Sequence, residues 1–364
     1  MKITLIAGAR PNFIKIAPII HAISAAVAGG AKLSYRLVHT GQHYDKKMSE
    51  TFFEELNIPQ PDVNLECGGG SQAEQTAAIM IAFEKELMQH PADLVIVVGD
   101  VTSTMACAIV AKKLNTKVAH VEGGIRSFDL TMPEEINRMV TDSITDYFFT
   151  TSEFANENLR KLGVKDEAIF FVGNVMIDTL KKFMPLFTPP DFYGELNLKQ
   201  GNYFVLTLHR PANVDQVDTL NGLITAILEN SGDMPIIFPI HPRTAKIFAS
   251  LSQSNPRLII VEPLGYLQFN YLVKNAFAVI TDSGGITEET TVMGIPCLTL
   301  RNNTERPETI TIGTNTLVGT QTEALTQSLK ELLSTGGKSG AIPPLWDGKS
   351  AERIVQHLIS LDEQ

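Results

Sequence analysis

The sequence predicts an α/β protein of two parallel-sheet domains facing a cleft, and three observations carry that prediction. Short apolar runs alternate with stretches of helical periodicity from one end of the chain to the other. Polar clusters, several with glycine, fall just after the apolar runs, where open parallel sheets bind ligands. Finally, 364 residues exceed one ordinary core, which favours two domains of roughly 170–180 residues each.

In the first half the expected strands are residues 3–7, 35–39, 94–98, 118–121, 147–150 and 169–172. Residues 94–98 are apolar throughout, as a strand covered by helices on either side must be. Gly173-Asn174 closes this half, and the proline-rich stretch 185–194 suits a connection between domains. The pattern restarts at 204–208, 236–240, 258–261, 276–280 and 297–300. Ile354, Val355, Leu358 and Ile359 give the last segment the apolar spacing of a terminal helix. The expected domains are therefore residues 1–174 and 175–349.

Composition narrows the partners. A net charge of −10 argues against nucleic acid or an anionic membrane, so a phosphate-bearing ligand must be held by a few local cations. Cys67, Cys107 and Cys297 are far apart and odd in number, which reads as reduced, buried thiols of a cytoplasmic protein. They show no metal-ligand spacing, so no metal is expected. The apolar part of the N-terminus is too short for a signal peptide, and no apolar run is long enough to span a bilayer.

The most informative stretch is Thr281-Asp282-Ser283-Gly284-Gly285-Ile286-Thr287-Glu288-Glu289. Ser283, Gly284 and Gly285 follow an apolar strand and open a helical segment. Unpaired N–H groups and the helix dipole attract an anion at such a turn, and missing side chains let a phosphate approach. Glu289, about one turn further in, can accept hydrogen bonds from ribose hydroxyls, which together read as a nucleotide diphosphate site.

Other polar clusters sit after other strands. Arg10 and Lys15 place two cations around the first strand-to-helix turn. Asp100 follows Gly99 and suits either a helix N-cap or acid/base chemistry. Glu122 ends the strand that carries His120, ahead of Gly123, Gly124 and Arg126. Pro133 fits a helix start, with Glu134 and Arg138 at i and i+4, the spacing of an exposed ion pair. In the second half His209 and Arg210 are potential phosphate donors, and His241-Pro242-Arg243 repeats the pattern. Phe269 could stack on a base or fill a core.

Taken in order, Gly8-Ala9-Arg10-Pro11, Gly99-Asp100, His120-Val121-Glu122, Pro133 to Arg138, Leu208-His209-Arg210, Thr281 to Gly285 and Thr304-Glu305-Arg306-Pro307-Glu308 resemble the non-hydrolysing UDP-N-acetylglucosamine 2-epimerases. The resemblance covers nearly the whole chain. It implies two Rossmann-like domains in the arrangement of the B-type glycosyltransferases, with the terminal helix, 350–364, packed back on the first. It implies cytoplasmic homodimers that supply activated N-acetylmannosamine for surface polysaccharides. By resemblance Ser283, Gly284 and Gly285 hold the diphosphate, Glu289 the ribose, and Phe269 lies by the uracil, while Arg10 and His209 reach the phosphates, with Arg210 beside His209 as a further donor. Asp100, Glu122 and Glu134 match the family's acid/base carboxylates, and Lys15 and Arg138 its active-site cations. The family's reaction eliminates UDP to 2-acetamidoglucal and adds it back with C2 inverted, without cofactor or metal. Regulated bacterial members carry an Arg after Gln-His, where this chain has Tyr44 after Gln42-His43, so substrate activation is not expected.

Gly41 to Tyr44 and Arg126-Ser127-Phe128 are also similar to relatives that epimerise UDP-2,3-diacetamido-2,3-dideoxyglucuronic acid, whereas Thr304 to Glu308 follows the N-acetylglucosamine enzymes. A hydrolysing epimerase and a B-type glycosyltransferase are further alternatives, although a transferase needs at most one first-domain base. A silent nucleotide-sugar sensor would have no use for Asp100, Glu122, Glu134 and His209.

Overall fold

The computed structural model describes residues 1–42, 57–240, 242–248 and 255–363. Its contacts divide the chain into two units, Met1–Thr179 with Pro344–Gln364, and Leu180–Pro343.

The first unit contains β1 (Lys2–Ala7), α1 (Arg10–Ala28), β2 (Ser34–His39), β3 (Val63–Asn64), α2 (Gln72–Gln89), β4 (Leu94–Val98), α3 (Thr102–Lys113) and β5 (Lys117–Val121). It continues with α4 (Pro133–Ile144), β6 (Tyr147–Thr150), α5 (Glu153–Lys161), β7 (Ile169–Phe171) and α6 (Val175–Phe183), within which the division falls. The strands pair in parallel in the order β3-β2-β1-β4-β5-β6-β7. All five residues of β4, Leu-Val-Ile-Val-Val, are buried, because a central parallel strand is covered on both faces. Val95 and Val97 pack with Ile79 and Phe83 of α2 and Ala106 and Val110 of α3 in one core. Helix α2 starts at a reciprocal cap. The Ser71 hydroxyl accepts from the Glu74 N–H at 3.3 Å and the Glu74 carboxylate accepts from the Ser71 N–H at 2.8 Å.

The C-terminal helix, Ser350–Asp362, belongs to this unit and lies against α1. Its first turn is capped from α6, where Asp178 accepts the Ser350 N–H at 3.1 Å and the Ala351 N–H at 2.7 Å. Burial pushes the Asp178 carboxyl up to about 6, against the pull of those N–H groups. Trp346, just ahead of the helix, is 1% exposed and donates its indole N–H to the Thr151 carbonyl at 2.9 Å.

The second unit contains α7 (Phe192–Glu195), β8 (Phe204–Thr207), α8 (Pro211–Val214), α9 (Val217–Asn230), β9 (Ile236–Pro239), α10 (Pro242–Phe248) and β10 (Leu258–Val261). Then follow α11 (Tyr266–Asn275), β11 (Ala278–Thr281), α12 (Gly284–Met293), β12 (Cys297–Thr299), α13 (Pro307–Thr311), β13 (Asn315–Leu317) and α14 (Thr322–Thr335). These strands are also parallel, in the order β10-β9-β8-β11-β12-β13. One face of the sheet buries Leu206, Phe238 and Ile280 against Leu223 and Ile227 of α9. The other buries Tyr203, Val205 and Val279 with Leu272 and Val273 of α11. Helix α12 stops at Gly294, whose φ of 72° is the left-handed value that a side chain disfavours.

Parallel α/β architecture in both halves is what the alternation of runs predicts. The sequence missed β3 and β13, two- and three-residue strands without an apolar run of their own. It also placed the strand before the glycine turn too early. Ala276 is the C-cap of α11, and pairing begins at Ala278. The proline-rich stretch lies inside the second unit.

Trp346→Ala should cost about 3–5 kcal/mol through lost packing and an orphaned Thr151 carbonyl. A urea melt that separates the two units should show the loss in the first alone, and an unchanged midpoint there would refute the anchoring role.

Candidate active site

Parallel strands all end on the same edge of their sheet, and in the first unit β1, β4 and β5 are neighbours, about 4.8 Å apart. The chain reverses its winding between β1 and β4, and such switch points open a crevice beyond the strand ends. The turn after β1 is held there by Asn12. Its carboxamide oxygen accepts from the Gly8 and Ala9 N–H groups at 3.3 and 2.9 Å, and its nitrogen donates to the Val98 carbonyl, at the end of β4, at 2.9 Å.

Two carboxylates stand on that edge, each gripped by a cation. The Lys15 ammonium donates to Glu122 at 2.7 Å, and the two side chains are only 10% and 2% exposed. Glu122 holds a φ of +71°, uncommon for a residue with a side chain and a form of strain that collects at functional sites. The Asp100 carboxylate accepts from Arg138 at 2.6 Å, while Asn137 donates to the Asp100 carbonyl at 2.9 Å.

Two sequence expectations are corrected here. Asp100 does not cap α3. Val101 occupies the N-cap without a side-chain bond, and Asp100 turns to Arg138 instead. Arg138 does not form an exposed pair with Glu134. The guanidinium is 2% exposed and bonds Glu135 at 2.9 Å, three residues back, because α4 turns that stripe inward. Glu134 is exposed on the first turn of α4.

Sequence reasoning passed over Glu135 and Asp142. Glu135 accepts from the Ser127 and Phe128 N–H groups, both at 3.0 Å, as well as from Arg138, and so shapes the loop before α4. Asp142 receives His120 at 2.7 Å and Arg126 at 2.6 Å. The other His120 nitrogen meets the Gly99 carbonyl at 2.7 Å, which ties β5 to the turn that presents Asp100. Burial alone would raise the Asp142 carboxyl, but His120 and Arg126 hold it below the usual range. The available signal was spacing, since 135, 138 and 142 fall at i, i+3 and i+7 on one helical stripe.

In the second unit the switch point lies between β8 and β11. After β11, Ser283 is the extended N-cap of α12, and Gly284 and Gly285 form its first turn, as the sequence predicts. Gly284 has a packing reason for lacking a side chain, because a Cβ there would lie 2.7 Å from the Glu305 carboxylate. After β8 come His209 and Arg210, both anchored to the turn through Asp282, which is wholly buried. Asp282 accepts from the His209 ring at 2.9 Å, the Arg210 N–H at 2.9 Å and Asn213 at 3.1 Å. Burial pushes its carboxyl up, but these partners, His209 foremost, hold it below the ordinary value. The Arg210 side chain donates to the Asp282 carbonyl at 3.0 Å. Asp282 is a further residue whose role the sequence did not reveal.

The adjacent acids of α12 part company. Glu288 pairs with Arg306, and Glu289 accepts the Tyr266 hydroxyl at 3.0 Å. Burial pushes the Glu289 carboxyl up to about 7. Arg301, two residues beyond β12, pairs with Glu305 at 2.6 Å. Phe269 of α11 is half-buried and packs at the margin of the core around Tyr203 and Leu272.

Arg10 opens α1, but its side chain lies outside the described residues, as do His43, Tyr44, Asp45, His241 and the side chain of Arg243. All three cysteines are buried and unbridged, and burial pushes the Cys297 thiol up to about 12. Among the described residues no helix is long and apolar enough to cross a membrane, and no group of His, Cys, Asp and Glu side chains has the arrangement of a metal site.

Residues 25–359 match the family model described as UDP-N-acetylglucosamine 2-epimerase. A Methanocaldococcus jannaschii protein named UDP-N-acetylglucosamine 2-epimerase is 42% identical over 370 residues, 98% of this chain and 99% of its own length. A Pseudomonas aeruginosa relative named UDP-2,3-diacetamido-2,3-dideoxy-D-glucuronate 2-epimerase is 37% identical, over 99% of this chain and all of its own. The crystal structure of the M. jannaschii epimerase in complex with UDP-GlcNAc and UDP matches at a TM-score of 0.88, covering 99% of this chain and 100% of that one. By its motifs, its parallel α/β units and this likeness over nearly its whole length, the chain belongs to the UDP-N-acetylglucosamine 2-epimerase family.

Proposed function

We propose that this protein is an isomerase that interconverts UDP-N-acetylglucosamine and UDP-N-acetylmannosamine by eliminating UDP and adding it back. The observation that supports it best is the pair of cation-held carboxylates, Glu122 with Lys15 and Asp100 with Arg138, at neighbouring strand ends. In this reading UDP is held by the second unit. Ser283, Gly284 and Gly285 take the diphosphate, Glu289 the ribose and Phe269 the uracil, with Arg10, His209 and Arg210 on the phosphates.

The C2 proton of the sugar is weakly acidic, so direct abstraction needs a strong base. If the C1–O bond breaks first, UDP leaves with the electron pair and C1 becomes oxocarbenium-like, which makes the C2 proton far easier to remove. A carboxylate takes that proton, the C1–C2 double bond forms, and 2-acetamidoglucal stays beside UDP. Return of a proton to the opposite face of C2, with UDP re-adding at C1, inverts the centre. The steps need charge stabilisation on the departing phosphate and acid/base groups on both faces. Asp100, Glu122 and Glu134 are the acid/base set in this reading, and Lys15 and Arg138 hold two of them in single orientations.

The 37% identical Pseudomonas relative brings a uronate substrate into view. A uronate needs a cation for its extra carboxylate. Arg126, the cation of the stretch shared with such enzymes, is buried against Asp142, which favours the N-acetylglucosamine substrate. The same reading makes the protein a cytoplasmic homodimer that feeds surface polysaccharide synthesis. Its three unbridged thiols suit a reducing compartment, and light scattering at twice the 39.9 kDa chain mass would support the dimer.

Turnover of UDP-N-acetylglucosamine in heavy water, followed by proton NMR, should place deuterium at C2 of the product and release traces of 2-acetamidoglucal. Product without solvent deuterium at C2 would sink the mechanism. Asp100→Asn, Glu122→Gln and Glu134→Gln should each slow turnover by roughly 100-fold or more while UDP affinity stays nearly intact. Ser283→Ala and Glu289→Ala should each weaken UDP binding by about 1–2 kcal/mol in calorimetry. If neither does, the nucleotide is not held by this turn.

A further inference from the structure

Behind the glycine turn, polar groups of α11 converge on one carboxylate of α12. Glu289 is 4% exposed, and its carboxyl accepts the Tyr266 hydroxyl at 3.0 Å. Asn270, one turn beyond Tyr266 on α11 and wholly buried, lies near the same carboxyl but outside good hydrogen-bond geometry. Burial of polar groups is costly unless they are satisfied, and a cluster like this persists only where its geometry is useful or well supported. The other titratable neighbour, Glu288, faces Arg306.

A glutamate has three side-chain torsions, so an unsupported carboxylate would sample orientations that miss a ribose diol. Hydrogen bonding of one oxygen by Tyr266 leaves the other pointing in a defined direction. We propose that Tyr266 is a positioning residue for nucleotide recognition, holding Glu289 by its hydrogen bond, with Asn270 packed beside the pair, so that the carboxylate meets the ribose hydroxyls. This rests on reading Glu289 as the ribose residue. Phe269, assigned above to the uracil, lies between them in sequence, so a single helix positions the groups for base and sugar and treats the nucleoside as a unit.

The arrangement carries a pH signature. Burial, chiefly, and Glu288 push the Glu289 carboxyl up to about 7, while the Tyr266 hydrogen bond pulls it down. Burial and Glu289 raise the Tyr266 phenol well above its ordinary value, so it remains a donor. Protonation of Glu289 below about 7 should therefore blunt ribose recognition, and removing the Tyr266 hydroxyl should move that loss to higher pH.

Calorimetry of UDP and 2′-deoxy-UDP from pH 6 to 8.5 tests this in the wild type, Tyr266→Phe, Asn270→Ala and Glu289→Gln, since comparing two diphosphates cancels the titration of the phosphates. The wild type should prefer UDP by about tenfold at pH 8, the worth of one charge-assisted hydrogen bond. At pH 7 that preference should shrink severalfold in Tyr266→Phe and less in Asn270→Ala, while 2′-deoxy-UDP affinity changes by less than about twofold. Its pH midpoint should rise in Tyr266→Phe. A packing role alone would weaken both ligands equally and leave the ratio intact, which overturns the proposal. A ratio lost in Glu289→Gln but kept in both α11 variants also overturns it, leaving the ribose reading standing. A ratio unchanged in Glu289→Gln overturns that reading and the inference with it. Should Tyr266→Phe fail to fold, Asn270→Ala decides by the same ratio.

Discussion

The parallel pairing of the described strands is the constraint on which the rest depends. Parallel strands cannot be joined by hairpins, so each needs a crossover, and every crossover begins at the same edge of the sheet. Turns after β1, β4 and β5 thereby become neighbours although more than a hundred residues separate the first from the last. The same holds for β8 and β11 in the second unit, where His209 and Ser283 arrive side by side with Asp282 between them. Residues distant in sequence meet because their strands are adjacent.

Several of the groups gathered there or close by are charged and buried, which would be unfavourable for each alone. Taking a carboxylate or an ammonium out of water costs several kcal/mol, and the cost is recovered only with close, well-bonded partners. Lys15 with Glu122, Arg138 with Asp100 and Glu135, and Asp142 with His120 and Arg126 meet that condition in the first unit. Asp282 and the Glu288–Arg306 pair meet it in the second. These networks orient the groups proposed for the chemistry more tightly than packing alone would, and an inversion at one carbon needs that precision.

Glu289 is a separate case. It is held by a phenol, and burial leaves its carboxyl near 7, whereas the hydrogen bonds around Asp282 hold that carboxyl below its ordinary value. Two adjacent acids on one helix thus take different partners, a hydroxyl for Glu289 and a guanidinium for Glu288.

The sequence by itself determined the longer strands and, to within a few residues, where they end. Apolar runs such as Leu94–Val98 and the restart after residue 200 are local patterns, and burial on both faces leaves them no alternative to a covered parallel strand. The Ser-Gly-Gly turn was legible for the same reason, since a strand, a glycine pair and a helical period lie within a few residues. Tertiary structure alone decided which charges meet. The spacing 134–138 allowed an exposed pair as readily as it allowed 135–138 to turn inward, and the choice came from the buried face of α4 against Asp100. The partners of Asp282, Asp142 and Tyr266 could not be read from the chain, because each lies 22 to 73 residues away and only strand order and side-chain direction bring them together.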